Sequence, residues 1–202
     1  MISSTIFFVC LVAALLELDT TYAFQLTLSR GIIAGPILGL LTGDFIGGLQ
    51  IGIFTELLFA DISPLGGILP PSAVGCCGIS LALHYLGIPL YIAFFFGVFC
   101  ALVLVYTERL ARKRRCRWLV FWEQRILKNP PCVNKTVALS LLASFASTFV
   151  LFTALLALSV GLTSWLVPHF SDQTHLAFKF TYVAVPWIGI TTLIASFRLK
   201  TR

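Results

Sequence analysis

Long apolar runs, separated by short polar or Pro/Gly-rich stretches, organise this chain from end to end. The first runs from Ile2 to Leu18 and closes on Glu17 and Asp19. A polar stretch, Asp19 to Arg30, leads into a second run from Gly31 to Ala60. That run is too long for one straight span, which needs roughly 20 residues of helix. Gly35, Gly39, Gly43 and Gly47 recur four apart within it, and Gly48 and Gly52 add a second small pair. On a helix such a row forms one smooth ridge, which lets backbones approach closely in lipid. Helix packing is sufficient reason for these glycines.

From Ser63 to Ser72 the chain reads Ser-Pro-Leu-Gly-Gly-Ile-Leu-Pro-Pro-Ser. Pro and Gly at this density cannot continue a helix. The segment is nonetheless apolar, and irregular backbone at membrane depth survives only when buried or lining a cavity. The reading is a broken or re-entrant segment, with a short external turn as the alternative. The apolar stretch Ala73 to Tyr106 is interrupted at Gly87-Ile88-Pro89, giving a short helix, a turn and a full span. His84, just before the turn beside Tyr85, reads as a packed or interfacial residue. Two more spans follow, Thr136 to Val167 and Ala177 to Phe197, the second with Pro186 inside it, where a kink is expected. The fold class is therefore all-α: a polytopic helical membrane protein with broken or re-entrant segments, residues 1–202 forming a single membrane domain.

Composition supports the same picture. Of 202 residues, 58% are hydrophobic and only 11% charged, with mean hydropathy +0.98. A soluble domain is about 25% charged, so too few charges exist to cover a water-facing surface. Continuous apolar runs favour helices over a barrel, whose strands would alternate over about ten residues. The Ile2 to Leu16 segment lacks the basic start of a signal peptide, so it reads as a retained first helix.

The net charge of +6 is unevenly placed. Nine of fourteen Lys/Arg fall between Arg109 and Lys135, and three more are Arg198, Lys200 and Arg202. Juxtamembrane basic residues mark cytoplasmic ends, which puts both clusters on one side. Residues 108–128 interleave cations with Trp118, Phe121 and Trp122, which suits an amphipathic segment at the membrane surface. Nucleic-acid binding is improbable for a segment tethered between spans. Six cysteines show no metal-ligand spacing: four sit in apolar runs, and Cys116 and Cys132 lie in the reducing basic region. The Asn134-Lys135-Thr136 sequon carries no meaning on a cytoplasmic segment. No nucleophile–base pair, phosphate loop or dinucleotide fingerprint is visible, so no catalytic residue, metal or cofactor is expected.

Three acids demand a reason. An ionised group at the bilayer centre costs at least ~2.5 kcal/mol. Asp44 and Asp61 could simply lie at helix ends near water. Glu56 is separated from Asp44 by uncharged sequence and followed by Leu57-Leu58-Phe59, so it is the strongest candidate for a group facing a polar cavity, a partner or a substrate path.

The steps Arg30-Gly31-Ile32-Ile33-Ala34-Gly35-Pro36, Gly39-Leu40-Leu41-Thr42-Gly43-Asp44 and Gly52-Ile53-Phe54-Thr55-Glu56-Leu57 resemble the membrane component IIC of mannose/fructose/sorbose-type phosphotransferase systems (PTS). Leu16 to Thr21 looks like that family's first connection, and the stretch to Pro70-Pro71 like the segment that follows. The likeness covers about residues 12–85. Gly31 stands where the family often has Pro, and the chain is shorter than typical members. The resemblance implies translocation of a hexose-type sugar coupled to phosphorylation. A IID-like membrane subunit and cytoplasmic IIA and IIB phosphotransfer proteins would be the partners, in an oligomer set among lipids of the bacterial cytoplasmic (inner) membrane. Carried over by position, Glu56 and Asp44 belong to the sugar-binding region, with Asp61 and Ser72 as further candidates. Two other readings stand beside it: a scaffold or regulatory subunit that does not transport, and an unrelated small ion-coupled transporter using the same acids.

Overall fold

The computed structural model describes residues 2–21, 26–60, 62, 69–128 and 133–200, excepting the side chains of 2, 3, 21, 115–128, 133, 134, 136 and 196–200. Asp61 and most of the Pro/Gly-rich segment, residues 63–68, lie outside them. The described residues form helices and connecting turns with no strand: α1 (Ile2–Thr21), α2 (Gly31–Thr42), α3 (Phe45–Phe59), α4 (Ala73–Tyr85), α5 (Leu90–Lys128), α6 (Val133–Leu166) and α7 (Asp172–Lys200). Three stretches are long and apolar enough to cross a membrane: Leu90–Arg114, Val137–His169 and Asp172–Ala195. The protein is an all-α, multi-pass membrane protein.

The long second run breaks in its middle. Gly43 takes φ +80, a left-handed conformation that glycine adopts without penalty, and its N–H closes back on Gly39 and Leu40. Asp44 then caps α3, accepting from the Gly47 amide at 2.9 Å. Gly43 is thus a turn residue and not part of a continuous ridge. The remaining glycines meet across the hairpin. A Cβ on Gly31 would lie 2.7 Å from the Gly52 carbonyl oxygen, and one on Gly39 would lie 2.7 Å from the Asp44 carbonyl oxygen and 3.0 Å from Gly48 Cα. One on Gly35 would run into the Gly48 carbonyl. The two backbones touch with nothing between them, the small-residue packing that lipid requires in place of a hydrophobic drive.

α2, α3 and α4 have 12, 15 and 13 residues. At 1.5 Å per residue they are only about 18–22 Å long, short of the ~30 Å hydrocarbon core. Gly87, at φ +93, turns α4 into α5. The α2–α3 tip and the α4–α5 turn lie together, with His84 Nε2 3.5 Å from Asp44 Oδ2 and His84 Nδ1 donating to the Ile88 carbonyl at 2.9 Å. Tyr85 reaches Thr5 near the start of α1, and Tyr91 near the start of α5 reaches His175 near the start of α7. Going the other way, Ser72 before α4 meets Glu17 near the end of α1, and Gly189 of α7 lies against Leu57 of α3. α1, α3, α5 and α7 therefore run from the Asp44 end toward the Glu56 end, while α2 and α4 run back. α6 lies against this group with Phe149 on Phe7, Phe152 on Gly78 and Ser159 on Cys100.

α4 forms the centre, buried over Val74–Leu83. Its Cys76 and Cys77 pack around Thr55 of α3, whose hydroxyl donates to Cys76 Sγ at 3.3 Å. Phe54, Phe94 and Tyr182 stack edge to tilted face among α3, α5 and α7. The basic stretch after Glu108 is the distal part of α5, which runs unbroken from Leu90 to Lys128. α7 continues as helix through Pro186.

Candidate functional site

The short helices leave a hollow at the Glu56 end. Its volume is about 660 Å³, within the range of small-molecule sites. Glu17, Asp19, Arg30, Glu56, Glu108 and Arg112 line it with Thr20, Ser72 and Thr148, and the apolar wall includes Phe59, Pro70, Pro71 and Leu104. Leu104 lies thirteen residues along α5 from Tyr91, so the hollow lies about 20 Å from the Asp44 end.

Glu56 reaches it from the last turns of α3. Its Oε2 accepts from the Gly31 amide at 2.9 Å and its Oε1 from Arg30 Nη1 at 2.8 Å. Arg30 is the N-cap residue of α2 and makes no side-chain cap bond of its own. The acid thus caps a neighbouring helix, where the dipole favours negative charge, and is neutralised by the adjacent guanidinium. The hairpin makes this possible: with the turn at Gly43-Asp44, Arg30 and Glu56 stand about equally far from it and meet at its open end.

Ser72 caps α4, its Oγ accepting from the Gly75 amide at 2.8 Å and donating to Glu17 Oε2 at 2.7 Å. Both capacities of the hydroxyl are engaged within the protein. Asp19 is buried and gathers the loop before α2, accepting from the amides of Leu26 and Leu28 at 2.8 and 2.7 Å and of Ser29 at 3.4 Å. Thr27 in that loop has φ 63, a strained conformation for a β-branched residue that the Asp19 bonds help to hold. Arg112 Nε lies 3.3 Å from Glu108 Oε1, one helical turn away on α5.

The structure therefore brings Glu56 and Ser72 to one hollow and places Asp44 at the other end of α3, about 18 Å away. Sequence reasoning passed over Arg30, Glu17, Asp19, Glu108 and Arg112 as lining groups. For Arg30 a signal was present: a lone cation in front of an apolar hairpin whose second acid, Glu56, stands near its other end. For Glu17 and Glu108 there was none, because only tertiary packing joins the ends of α1 and α5.

The family described as the sorbose-specific IIC component of the PTS matches residues 3–200. The chain belongs to this family. It is a PTS IIC membrane component, a part of the machinery of sugar transport that works with membrane-associated PTS partners. The match covers the region beyond residue 85 as well, where motif likeness alone was diffuse. A solved structure titled "Structure of membrane protein" shares the fold with TM-score 0.66 and 18% identity, over 96% of this chain and 78% of that one. No curated protein matches the chain.

Proposed function

We propose that this IIC component binds a hexose-type sugar in the hollow at the Glu56 end. It would pass the sugar to phosphorylation by partner subunits: a IID-like membrane protein and cytoplasmic IIA and IIB phosphotransfer proteins. The observation that carries this is the Arg30–Glu56 pair with the Gly31 amide on the wall of a 660 Å³ hollow. A carboxylate and a guanidinium side by side offer an acceptor and donors to vicinal hydroxyls, and Phe59 and Leu104 offer an apolar face. Ser72 acts through Glu17, which it orients. Asp44 holds the far end of the hairpin, and Asp61 remains a candidate ligand.

Sidedness supports the reading. Arg112 lines the hollow, and the basic segment continues from it along α5. α7 runs toward the same end, carrying Arg198 and Lys200. By the positive-inside rule the hollow is then on the cytoplasmic side of a bacterial inner membrane, where a phosphate donor waits.

Glu56→Gln tests the proposal cleanly, since the amide oxygen still accepts from Gly31 while the charge is lost. Hexose uptake in cells should fall at least tenfold with the protein still inserted and complexed, because hydrogen bonds to a charged group are worth roughly 1.5–3 kcal/mol. Undiminished uptake would remove Glu56 from the site. One observation favours a second reading, a scaffold that does not transport: each oxygen of Glu56 already accepts one hydrogen bond inside the hairpin. That reading expects complex formation with no dependence on sugar.

A further inference from the structure

α4 is buried from Val74 to Leu83, yet a polar row runs along it. Ser72, Cys76, Ser80 and His84 stand four residues apart, which sets them one above another on the helix. The row begins in the hollow, at Ser72, and ends about 18 Å away beside Asp44, at His84. Neighbouring helices add polar groups to it. Thr55 of α3 donates to Cys76 Sγ, and the Tyr182 hydroxyl of α7 has Cys76 and Asp44 within electrostatic reach.

Two hydroxyls of this row are orphans. Ser80 and Tyr182 are both buried, and neither finds an oxygen or nitrogen partner in the protein. Ser80 has only the soft Cys76 sulfur one turn back, and it faces Gly97 of α5, which has no side chain to offer. A buried hydroxyl without a full partner destabilises a fold, and Ala or Phe in its place would be free of that cost. The contacts across the row are weak as well. Thr55 is bonded to sulfur, 3.3 Å from Cys76 and 3.9 Å from Cys77. The His84–Asp44 contact, at 3.5 Å, is long and partly exposed, a kind of pair worth little. Beside the row, the rings of Phe54 and Phe94 lie against Tyr182.

We propose that this row is the passage of the sugar, from the Asp44–His84 end along α4 to the hollow, with Ser80 and Tyr182 hydrogen-bonding it in transit. The inference rests on the reading of the hollow as the sugar site, where the passage ends. A hexose carries hydroxyls that both donate and accept, around a ring with apolar C–H faces. The orphan hydroxyls answer the first property, and the Phe54 and Phe94 rings answer the second. Weak contacts across the row let α4 part from α3 and α7 as the sugar moves.

Tyr182→Phe and Ser80→Ala each delete one orphan hydroxyl. The test uses the full chain, in cells carrying the complete sugar system for uptake and in lipid nanodiscs for melting and calorimetry. D-mannose, D-fructose and L-sorbose are the probes. Uptake should fall about fivefold in each variant, the rate equivalent of one neutral hydrogen bond. The melting temperature should hold or rise, because an unpaired buried group is gone, and sugar affinity at the hollow should not change. The two changes lie on different helices, so a variant that fails to fold leaves the other to decide. Uptake at the unaltered rate overturns the passage and leaves the sugar site standing. A loss of uptake that follows a lower melting temperature or a weaker isotherm overturns it too, because the hydroxyls are then structural. Calorimetry that finds none of the sugars bound to the unaltered protein removes the hollow as the site, and this inference falls with it.

Discussion

Asp44 sits at the tip of the α2–α3 hairpin, one carboxylate oxygen on the Gly47 amide and the other toward His84. Glu56 sits at the open end, bridging Arg30 and the Gly31 amide. Both acids answer the cost of charge in an apolar run, by different means. Asp44 is a helix cap, and an N-cap replaced by Ala costs about 1 kcal/mol. Asp44→Ala should therefore lower the melting temperature of the purified protein by a few degrees. Hexose affinity should be unchanged, because the hollow is about 18 Å away. A melting curve and a binding isotherm on the same preparation check both halves, and a lost isotherm with an intact melt would return Asp44 to the site. The sequence made Glu56 legible as a costly charge but not its partner. Its pairing depends on where the chain turns, and Gly43 read as one more step of a ridge until its left-handed φ marked it as the turn.

The elements owe their arrangement to side chains that are missing. Gly35 faces the Gly48 carbonyl and Gly52 Cα, with Gly52 Cα 2.8 Å from where a Cβ would sit. Both neighbours are backbone and cannot rotate away. Gly35→Ala should splay α2 from α3, separate Arg30 from Glu56 and sharply reduce the amount of correctly inserted protein, read by size-exclusion profile after solubilisation. Gly161 is the control. Nothing lies within 4 Å of its Cβ position on α6, so Gly161→Ala should be neutral or should stabilise by up to about 1 kcal/mol, as Ala does over Gly in a helix. Equal tolerance of both changes would contradict glycine-to-glycine packing. Small-residue spacing made this contact readable in kind. It left open which glycines meet, because a row spaced by four looks alike on a straight helix and on two halves of a hairpin. The basic segment shows the opposite limit. Its composition suits a surface helix, yet nothing in it stops the helix begun at Leu90, so α5 carries on through it.

At the scale of the whole molecule, the alternation of helix direction ties the two ends together. Tyr85 with Thr5, Tyr91 with His175 and Asp44 with His84 fix one end, and Ser72 with Glu17 fixes the other. The start of α1 accordingly lies at the Asp44 end, a side that charge alone left unassigned because the first connection is nearly free of Lys and Arg. If the basic continuation of α5 is cytoplasmic, the α4–α5 turn is external and the hollow internal. Cysteine labelling can decide this. Cys10, Cys76, Cys77 and Cys100 are buried, so replacing Cys116 and Cys132 with Ser should leave little background reaction. On that background, Leu86→Cys at the exposed turn should react with a membrane-impermeant maleimide in intact cells. Thr20→Cys, exposed on the wall of the hollow, should react only in inverted vesicles. The reverse pattern would turn the molecule over, put the hollow on the outer face and separate it from any cytoplasmic phosphate donor. Labelling of both positions from one side would contradict the helix directions themselves, since the thirteen residues of α4 run between the two ends and separate them by about 20 Å.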